Sequence, residues 1–311
     1  MSELIKIKNL TKKFSNFVAL DGLNLTIEQN TCVGYLGPNG AGKTTTIKIL
    51  TGLIRPSAGS ALILGNNITK DIRSALSDVG VVVEIPQFYS NLTPYETLSY
   101  FGKLRGMEKN SLTNRISEVL EEVNLSKWRE KKIGIFSKGM KQRLGIACAL
   151  LHKPTIMILD EPSSGLDPRG IIEVRQIIKE LKKQGKTIFM SSHQLAEVQE
   201  VCDKVAIIDK GKLLRYDFVK NISSEKSISK IKVECVANPT PEQIVMVQSF
   251  DGIKQIEQDG SNFVISFSGN NEAKAELLDV IKKSGIRVVS YSTDSSNLES
   301  IYMEETSDSV E

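Results

Sequence analysis

The stretch Thr31 to Leu53, TCVGYLGPNGAGKTTTIKILTGL, leaves this chain few folds to choose from, because it spells a strand, a glycine-rich turn and a helix start in that order. Gly37-Pro38-Asn39-Gly40-Ala41-Gly42-Lys43-Thr44 fits G-x-x-x-x-G-K-[ST] at every fixed position. Cys32 to Leu36 before it is a short apolar run suited to a buried strand. Thr45 to Thr51 after it reads as helix, stopped by Gly52. Glycines 37, 40 and 42 let successive N–H groups turn inward, and the helix adds the positive end of its dipole, so the expected product is a cradle for a polyphosphate. Lys43 then reaches the β- and γ-phosphates, and the Thr44 hydroxyl is placed to ligate Mg²⁺. The expected contacts run from Gly37 through Thr45.

Two more strand ends supply candidate chemistry. Thr155 to Leu159 is an apolar strand that delivers Asp160 and Glu161 at its C-terminal end, the edge where open α/β sheets bind ligands. Asp160 suits Mg²⁺, and Glu161 suits orienting or deprotonating an attacking water. Thr187 to Ser192 repeats the plan with His193 directly after it, where a histidine can donate to a γ-phosphate. His152, in LLHKP, has no such setting and reads as structural. Ser137, in FSKGMKQR, reads as the N-cap of a helix with Met140, Leu144, Ala147 and Leu151 on one face, which makes a second place for an anion.

The rest of the chain sets the organisation. Leu4 to Lys8 and Asn24 to Glu28 alternate like half-buried strands, and between them Lys12 to Phe17 is an exposed turn with two aromatics. Of these, Phe14 offers a ring for a purine to stack on. Ser60 to Leu64 and Gly80 to Val83 are further strands, and Pro94 to Arg105 and Ser111 to Val123 are helices of an insertion spanning about residues 88–152. Trp128 reads as an amphipathic aromatic covering the edge of a core. Residues 204–216 form a closing hairpin that turns at Lys210-Gly211.

Charge divides the chain: residues 221–311 hold 8 Lys and Arg against 15 Asp and Glu, and residues 1–220 hold 32 against 22. We therefore expect a first domain over 1–220, a linker over 221–229 and an accessory domain over 230–306. The last reads strand, helix, strand, strand, helix, strand, a ferredoxin-like order. Four cysteines without C-x-x-C spacing read as buried reduced thiols. No run approaches the ~18 apolar residues of a membrane helix, and MSELIKIKNL lacks a signal-peptide layout, so the expected location is the cytoplasm.

Together these stretches resemble the nucleotide-binding subunit of ABC transporters over residues 3 to about 218. GPNGAGKTT matches Walker A, TIMILDEP Walker B, FSKGMKQR the signature, SSGLD (Ser163 to Asp167) the D-loop and SSHQ the H-loop. The implied fold class is α/β: a P-loop NTPase cassette of ABC type, with a mixed-sheet core and helical subdomain, plus the small α+β ferredoxin-like domain. The resemblance implies two copies head to tail around two ATP, each nucleotide meeting Lys43, Thr44, Asp160, Glu161 and His193 of one and the Ser137 helix of the other. It also implies Ser137 and Gly139 facing the γ-phosphate, Phe14 on the adenine, and Asp167 across the interface. Lys138 and Met140 depart from the usual signature LSGGQ. Glu84 stands where the family has its Q-loop glutamine, and a carboxylate there would ligate Mg²⁺. The stretch around Glu84, NLTPYETLSYFGKLRG and the acidic appended domain resemble the exporter branch of bacitracin- and lantibiotic-resistance transporters. Such a chain would sit on the inner membrane face, held by a separate permease subunit. The other class considered, a soluble ABC-type ATPase acting on nucleic acid or ribosomes, is disfavoured by a single cassette, the lack of heptads and an acidic appendage that repels phosphate backbones.

Overall fold

The computed structural model describes residues 2–224, 228–294 and 302. The chain divides into two compact units, meeting in sequence at Asp217 and Phe218. In the first, the order is β1 (Glu3–Phe14), β2 (Phe17–Glu28), β3 (Cys32–Leu36), α1 (Lys43–Leu50), β4 (Ala58–Ile63), β5 (Asn66–Asn67), α2 (Ile72–Leu76) and β6 (Val79–Val82). Three helices follow, α3 (Pro94–Leu104), α4 (Lys109–Glu122) and α5 (Lys138–Leu150). The unit closes with β7 (Ile156–Leu159), α6 (Pro168–Lys183), β8 (Thr187–Ser192), α7 (Leu195–Val201), β9 (Lys204–Asp209) and β10 (Lys212–Phe218).

Six strands form one sheet in the order β10-β9-β3-β8-β7-β6, and from β9 to β6 every pairing is parallel. Its central strands β3, β7 and β8 are buried along their whole length, which is why they read as unbroken apolar runs rather than alternating ones. A second, antiparallel sheet runs β2-β1-β4-β5. Ile5, Ile7, Leu10 and Leu23 of this sheet share one apolar cluster with Tyr35 and Phe189 of the first and with Ile47 and Ile49 of α1. The phosphate-loop helix is thereby seated in the core.

The first hairpin is longer than the alternation suggests. The β1–β2 register shifts between Ile7 and Leu10 and again up to Lys13, and Asn9 takes a left-handed φ of 46°. Each bulge resets the period-2 pattern, so a strictly alternating reading stops early. The expected exposed turn over Lys12 to Phe17 shrinks accordingly to Ser15-Asn16, with Phe14 and Phe17 paired across it.

The helical insertion is set by local signals. Thr93 accepts from Glu96 N–H at 3.2 Å while Glu96 accepts from Thr93 N–H at 2.8 Å, a full capping box with Pro94 in the first turn of α3. Ser137 caps α5 and Asp167 caps α6, the latter followed by Pro168. Trp128 lies edge-on to Phe136 with ring centroids 5.8 Å apart, at the rim of the helical core.

In the second unit, α8 (Val219–Ser224) precedes β11 (Ile228–Cys235), α9 (Pro241–Gln248), β12 (Ile253–Asp259), β13 (Asn262–Ser268), α10 (Asn271–Lys283) and β14 (Val288–Asp294). The stretch expected as a linker over 221–229 thus holds the end of α8 and the first residues of β11, and Ile222, fully buried, gives that helical turn a reason to form. Residues 225–227 lie outside the described residues. The strands form one antiparallel sheet, β12-β13-β11-β14. Phe263, Ile265 and Phe267 on alternate positions of β13 meet Leu277 and Ile281 of α10 and Val247 of α9 in a separate core.

Candidate active site

Parallel pairing brings three strand ends level. Leu36 stands beside Ser192 and Leu159 beside Met190, so the next residues, Gly37, His193, Asp160 and Ser191, fall along one edge of the sheet. That edge is where a parallel sheet with covered faces presents ligand sites.

The loop after β3 needs its glycines. Gly40 and Gly42 take φ of 85° and 105°, and a Cβ on Gly42 would lie 2.7 Å from the Ala19 carbonyl oxygen. Beyond them α1 starts at Lys43, which is only 6% exposed and donates from Nζ to the carbonyls of Gly37 at 2.7 Å and Pro38 at 3.0 Å. Ala41 N–H closes the loop on Pro38 O at 3.2 Å, and the Ala41 methyl joins the apolar core behind it. Beneath the loop, burial pushes the Tyr35 phenol well above its ordinary range, so it stays a neutral partner of the Thr46 hydroxyl at 3.1 Å.

The acidic groups converge on this helix start. Glu161 Oε1 lies 3.5 Å from Lys43 Nζ, and its Oε2 lies 2.6 Å from His193 Nδ1. Asp160, buried, accepts from the Thr44 hydroxyl at 3.4 Å and from the Ser191 hydroxyl at 2.6 Å. A cleft of about 590 Å³ opens in front, walled by Asn39, Gly40, Gly42, Lys43, Thr44, Thr45, Glu161 and His193, with Phe17, Ala19 and Ser164 at its margins. It is large enough for a nucleotide's phosphates and sugar.

Ser137, Gly139 and Asp167 meet elsewhere in the unit. The Ser137 hydroxyl accepts from Met140 N–H at 3.2 Å, and Asp167 Oδ1 accepts from Gly170 N–H at 3.3 Å. Gly139 lies so close to the start of α6 that a Cβ would be 3.3 Å from Gly170 Cα. These residues wall a second cleft of about 590 Å³ with Arg143, Arg169 and Trp128, and no residue walls both clefts.

Two expected contacts are not gathered. Glu84 does not join Thr44 and Asp160: it is 64% exposed, at a left-handed φ of 59°, with its carboxylate 2.6 Å from Lys48 Nζ. Lys48, its partner, lies one turn beyond Thr44 on α1. The cleft wall includes Phe17 and not Phe14; the two rings are 59% and 45% exposed, and Lys12 Nζ lies 4.7 Å from the Phe14 ring centre. Sequence reasoning also missed Ser191, fully buried near the end of β8 and bonded to both acidic residues. Two adjacent buried hydroxyls, Ser191 and Ser192, at the end of a strand otherwise apolar after Thr187 are the signal that could have marked it.

Strand-end carboxylates and a histidine around a phosphate loop, with a helical insertion that carries a second capped helix start, define a P-loop ATPase cassette. The family model for ABC transporters matches residues 20–164. The chain is 41% identical to the bacitracin transport ATP-binding protein BcrA of Bacillus licheniformis, over 97% of each chain. It is 34% identical to BcrA of Enterococcus faecalis over 97% of this chain and 96% of that one. Among solved structures it resembles a dimeric ATP-binding cassette in a post-hydrolysis state bound to ADP and Pi, with 26% identity and a TM-score of 0.61 over 70% of this chain and 99% of that one. The chain belongs to the ABC transporter family, as an ATP-binding and ATP-hydrolysing subunit. Subunits of this class dimerise and work with a transmembrane permease.

Proposed function

We propose that each ATP is held by the phosphate loop of one copy of this chain and completed by the start of α5 from a second, identical copy. The observation that carries this is the convergence of Lys43, Glu161 and His193 within one network, set against Ser137 and Gly139 walling a separate cleft. On binding, Lys43 exchanges the Gly37 and Pro38 carbonyls for β- and γ-phosphate oxygens, and the loop N–H groups take the rest of the charge. Glu161 orients the attacking water and accepts its proton; His193, bonded to Glu161 through Nδ1, keeps Nε2 for the γ-phosphate. Asp167 stands at the rim of the shared interface.

Thr44 and Asp160 fit Mg²⁺: a hydroxyl and a buried carboxylate are hard oxygen donors, and Mg²⁺ is commonly held by one carboxylate with phosphates and water making up the rest. Bound there, it would neutralise charge on the β- and γ-phosphates. Among the described residues no three His, Cys, Asp or Glu gather into an all-protein cage, which agrees with a metal shared with the substrate. Glu84 is left out of that set.

The permease partner gives the ATPase its task. BcrA is named for bacitracin transport and aligns with this chain along nearly its whole length, which supports export of a peptide antibiotic or similar amphiphile. Among the described residues no helix is long and apolar enough to cross a membrane, so the subunit is proposed to sit on the inner face of the membrane through its permease. The boundaries remain a first domain to about residue 220 and an accessory domain from 230. The strand order β12-β13-β11-β14 with helices on one side supports a ferredoxin-like reading of that domain.

The test is Glu161→Gln in the full chain with its permease. Turnover should fall by about 10²–10⁴-fold, the usual worth of a general base, while nucleotide binding persists and the ATP-bound protein runs as a dimer. Unchanged steady-state hydrolysis would remove Glu161 from the role given to it.

A further inference from the structure

We propose that Ser191 is a positioning residue for ATP hydrolysis, one hydroxyl setting both the carboxylate on the metal side and the carboxylate on the water side. The inference rests on the roles given above to Asp160 and Glu161. Ser191 lies at the end of β8, wholly buried, and reaches across to the residues that follow β7.

The direction of its two hydrogen bonds follows from valence alone. A backbone N–H can only donate, so at 2.9 Å from Glu161 N the Ser191 oxygen accepts. Its single proton is then left for Asp160 Oδ1, 2.6 Å away, which accepts. The chain of bonds therefore runs from the Glu161 amide through Ser191 to the Asp160 carboxylate. No other side-chain contact among the described residues touches both acids.

Each end of that chain constrains a functional group. Asp160 Oδ1 receives both Ser191 and the Thr44 hydroxyl, at 2.6 and 3.4 Å, which leaves Oδ2 as the oxygen without a protein partner among the described residues. Glu161 sits at a left-handed φ of 48°, a conformation uncommon for a residue with a side chain. That backbone turn is what aims its carboxylate between Lys43 and His193, and the bond to Ser191 holds the amide that makes it. His193 lies two residues beyond Ser191, directly after β8 ends at Ser192. A buried strand serine needs some partner merely to satisfy its hydroxyl. Here both partners are the residues that hold or activate the reactants, and an aliphatic residue of the same size would satisfy packing without either bond.

Ser191→Ala and Ser191→Thr in the full-length protein test this, with Glu161→Gln in parallel. The measurements are steady-state hydrolysis against ATP and Mg²⁺, binding of a fluorescent ATP analogue in Mg²⁺ and in EDTA, and the melting temperature. Misplacing reacting groups by a fraction of an ångström to an ångström costs on the order of 10–100-fold in rate. Ser191→Ala should therefore lose about that much in kcat and need severalfold more Mg²⁺ for half-maximal analogue binding. Its analogue Kd in EDTA should stay within about twofold of wild type, and Ser191→Thr should recover most of the rate. Unaltered kcat and Mg²⁺ dependence in Ser191→Ala would overturn the proposal. So would a rate loss matched by equal losses of metal-free binding and melting temperature, the signature of a packing role. If the alanine variant does not fold, Ser191→Cys, similar in shape and a weaker donor, is judged by the same readouts. A Glu161→Gln variant that still turns over would instead defeat the underlying reading, whereas an inactive Glu161→Gln beside a wild-type-like Ser191→Ala would defeat this inference alone.

Discussion

The cradle around Lys43 and the corner around Ser137 use the same device, a helix that begins after a short turn, yet they are finished in opposite ways. In the cradle, reactive groups are tied to one another: Lys43 to two loop carbonyls, Glu161 to His193, Asp160 to Thr44 and Ser191. In the corner, the polar groups serve the fold. Ser137 and Asp167 cap their own helices, and Arg143 and Arg169 both turn to Glu173, at 3.2 and 3.3 Å. The chemistry is assembled in one place and the complementary N–H donors in another. On the proposed function, one half binds the substrate and hydrolysis waits until the other half arrives.

The sharpest way to break that comparison is to remove one charge from the cradle. Lys43→Ala should weaken nucleotide binding by the isolated subunit and cut hydrolysis by on the order of 10²–10³-fold, the cost of deleting one preorganised donor to developing charge. Steady-state phosphate release and analogue binding measure both. At the corner, Ser137→Ala and Gly139→Ala should leave binding by the monomer within about twofold and lower hydrolysis by about tenfold or more. For Gly139 the added methyl presses on Gly170 Cα at 3.3 Å, spoiling the shape of the helix start rather than its charge. If Ser137→Ala lost monomer binding in step with Lys43→Ala, the division of labour would be wrong.

The adenine end gives a smaller effect and a direct contest. Stacking a base on an aromatic ring is worth about 1–3 kcal/mol by alanine substitution, so the ring that carries the adenine should cost roughly tenfold in ATP affinity when removed. Sequence resemblance points to Phe14, and the cleft wall points to Phe17. Comparing Phe14→Ala with Phe17→Ala by analogue binding decides between them, and equal, negligible losses would exclude both. Neither change should alter kcat at saturating ATP.

What the sequence made legible follows from how local each signal is. The phosphate loop, the acids after β7 and His193 after β8 are written in contiguous residues, strand then loop, and the parallel register has only to bring them level. The helix start at Pro94 and the hairpin turn at Lys210-Gly211 were readable for the same reason. What failed depends on contacts between distant segments. Glu84 is paired with Lys48, a partner 36 positions away that no motif announces. Bulges hid the length of β1, and Ser191 gains its meaning only when β8 lies beside β7. α6 was not anticipated, although Asp167-Pro168 is a good helix start and Val174, Ile177, Ile178 and Leu181 fall on one buried face.

The smallest expected effect lies outside both regions and separates acid sensitivity of the fold from that of the site. Burial holds His152 well below the ordinary histidine range, at about 4, with the Arg105 charge adding to it. Its Nε2–H donates to the Val79 carbonyl at 3.2 Å, and Nδ1 is buried without a partner among the described residues, so a second ring proton has nowhere favourable to go. The unfolded chain takes that proton near 6.5 while the folded chain does not until about 4. Between those values the unfolded state binds more protons, so stability is complete above about 6.5 and declines as pH falls through the window. His152→Gln keeps a donor at the Nε2 position and cannot titrate. Urea midpoints at pH 7.5 and pH 5 should therefore differ less for this variant than for wild type. Hydrolysis at neutral pH should be unchanged within about twofold, since His152 walls neither cleft. An identical loss of midpoint in both proteins would show that the acid slope comes from other groups.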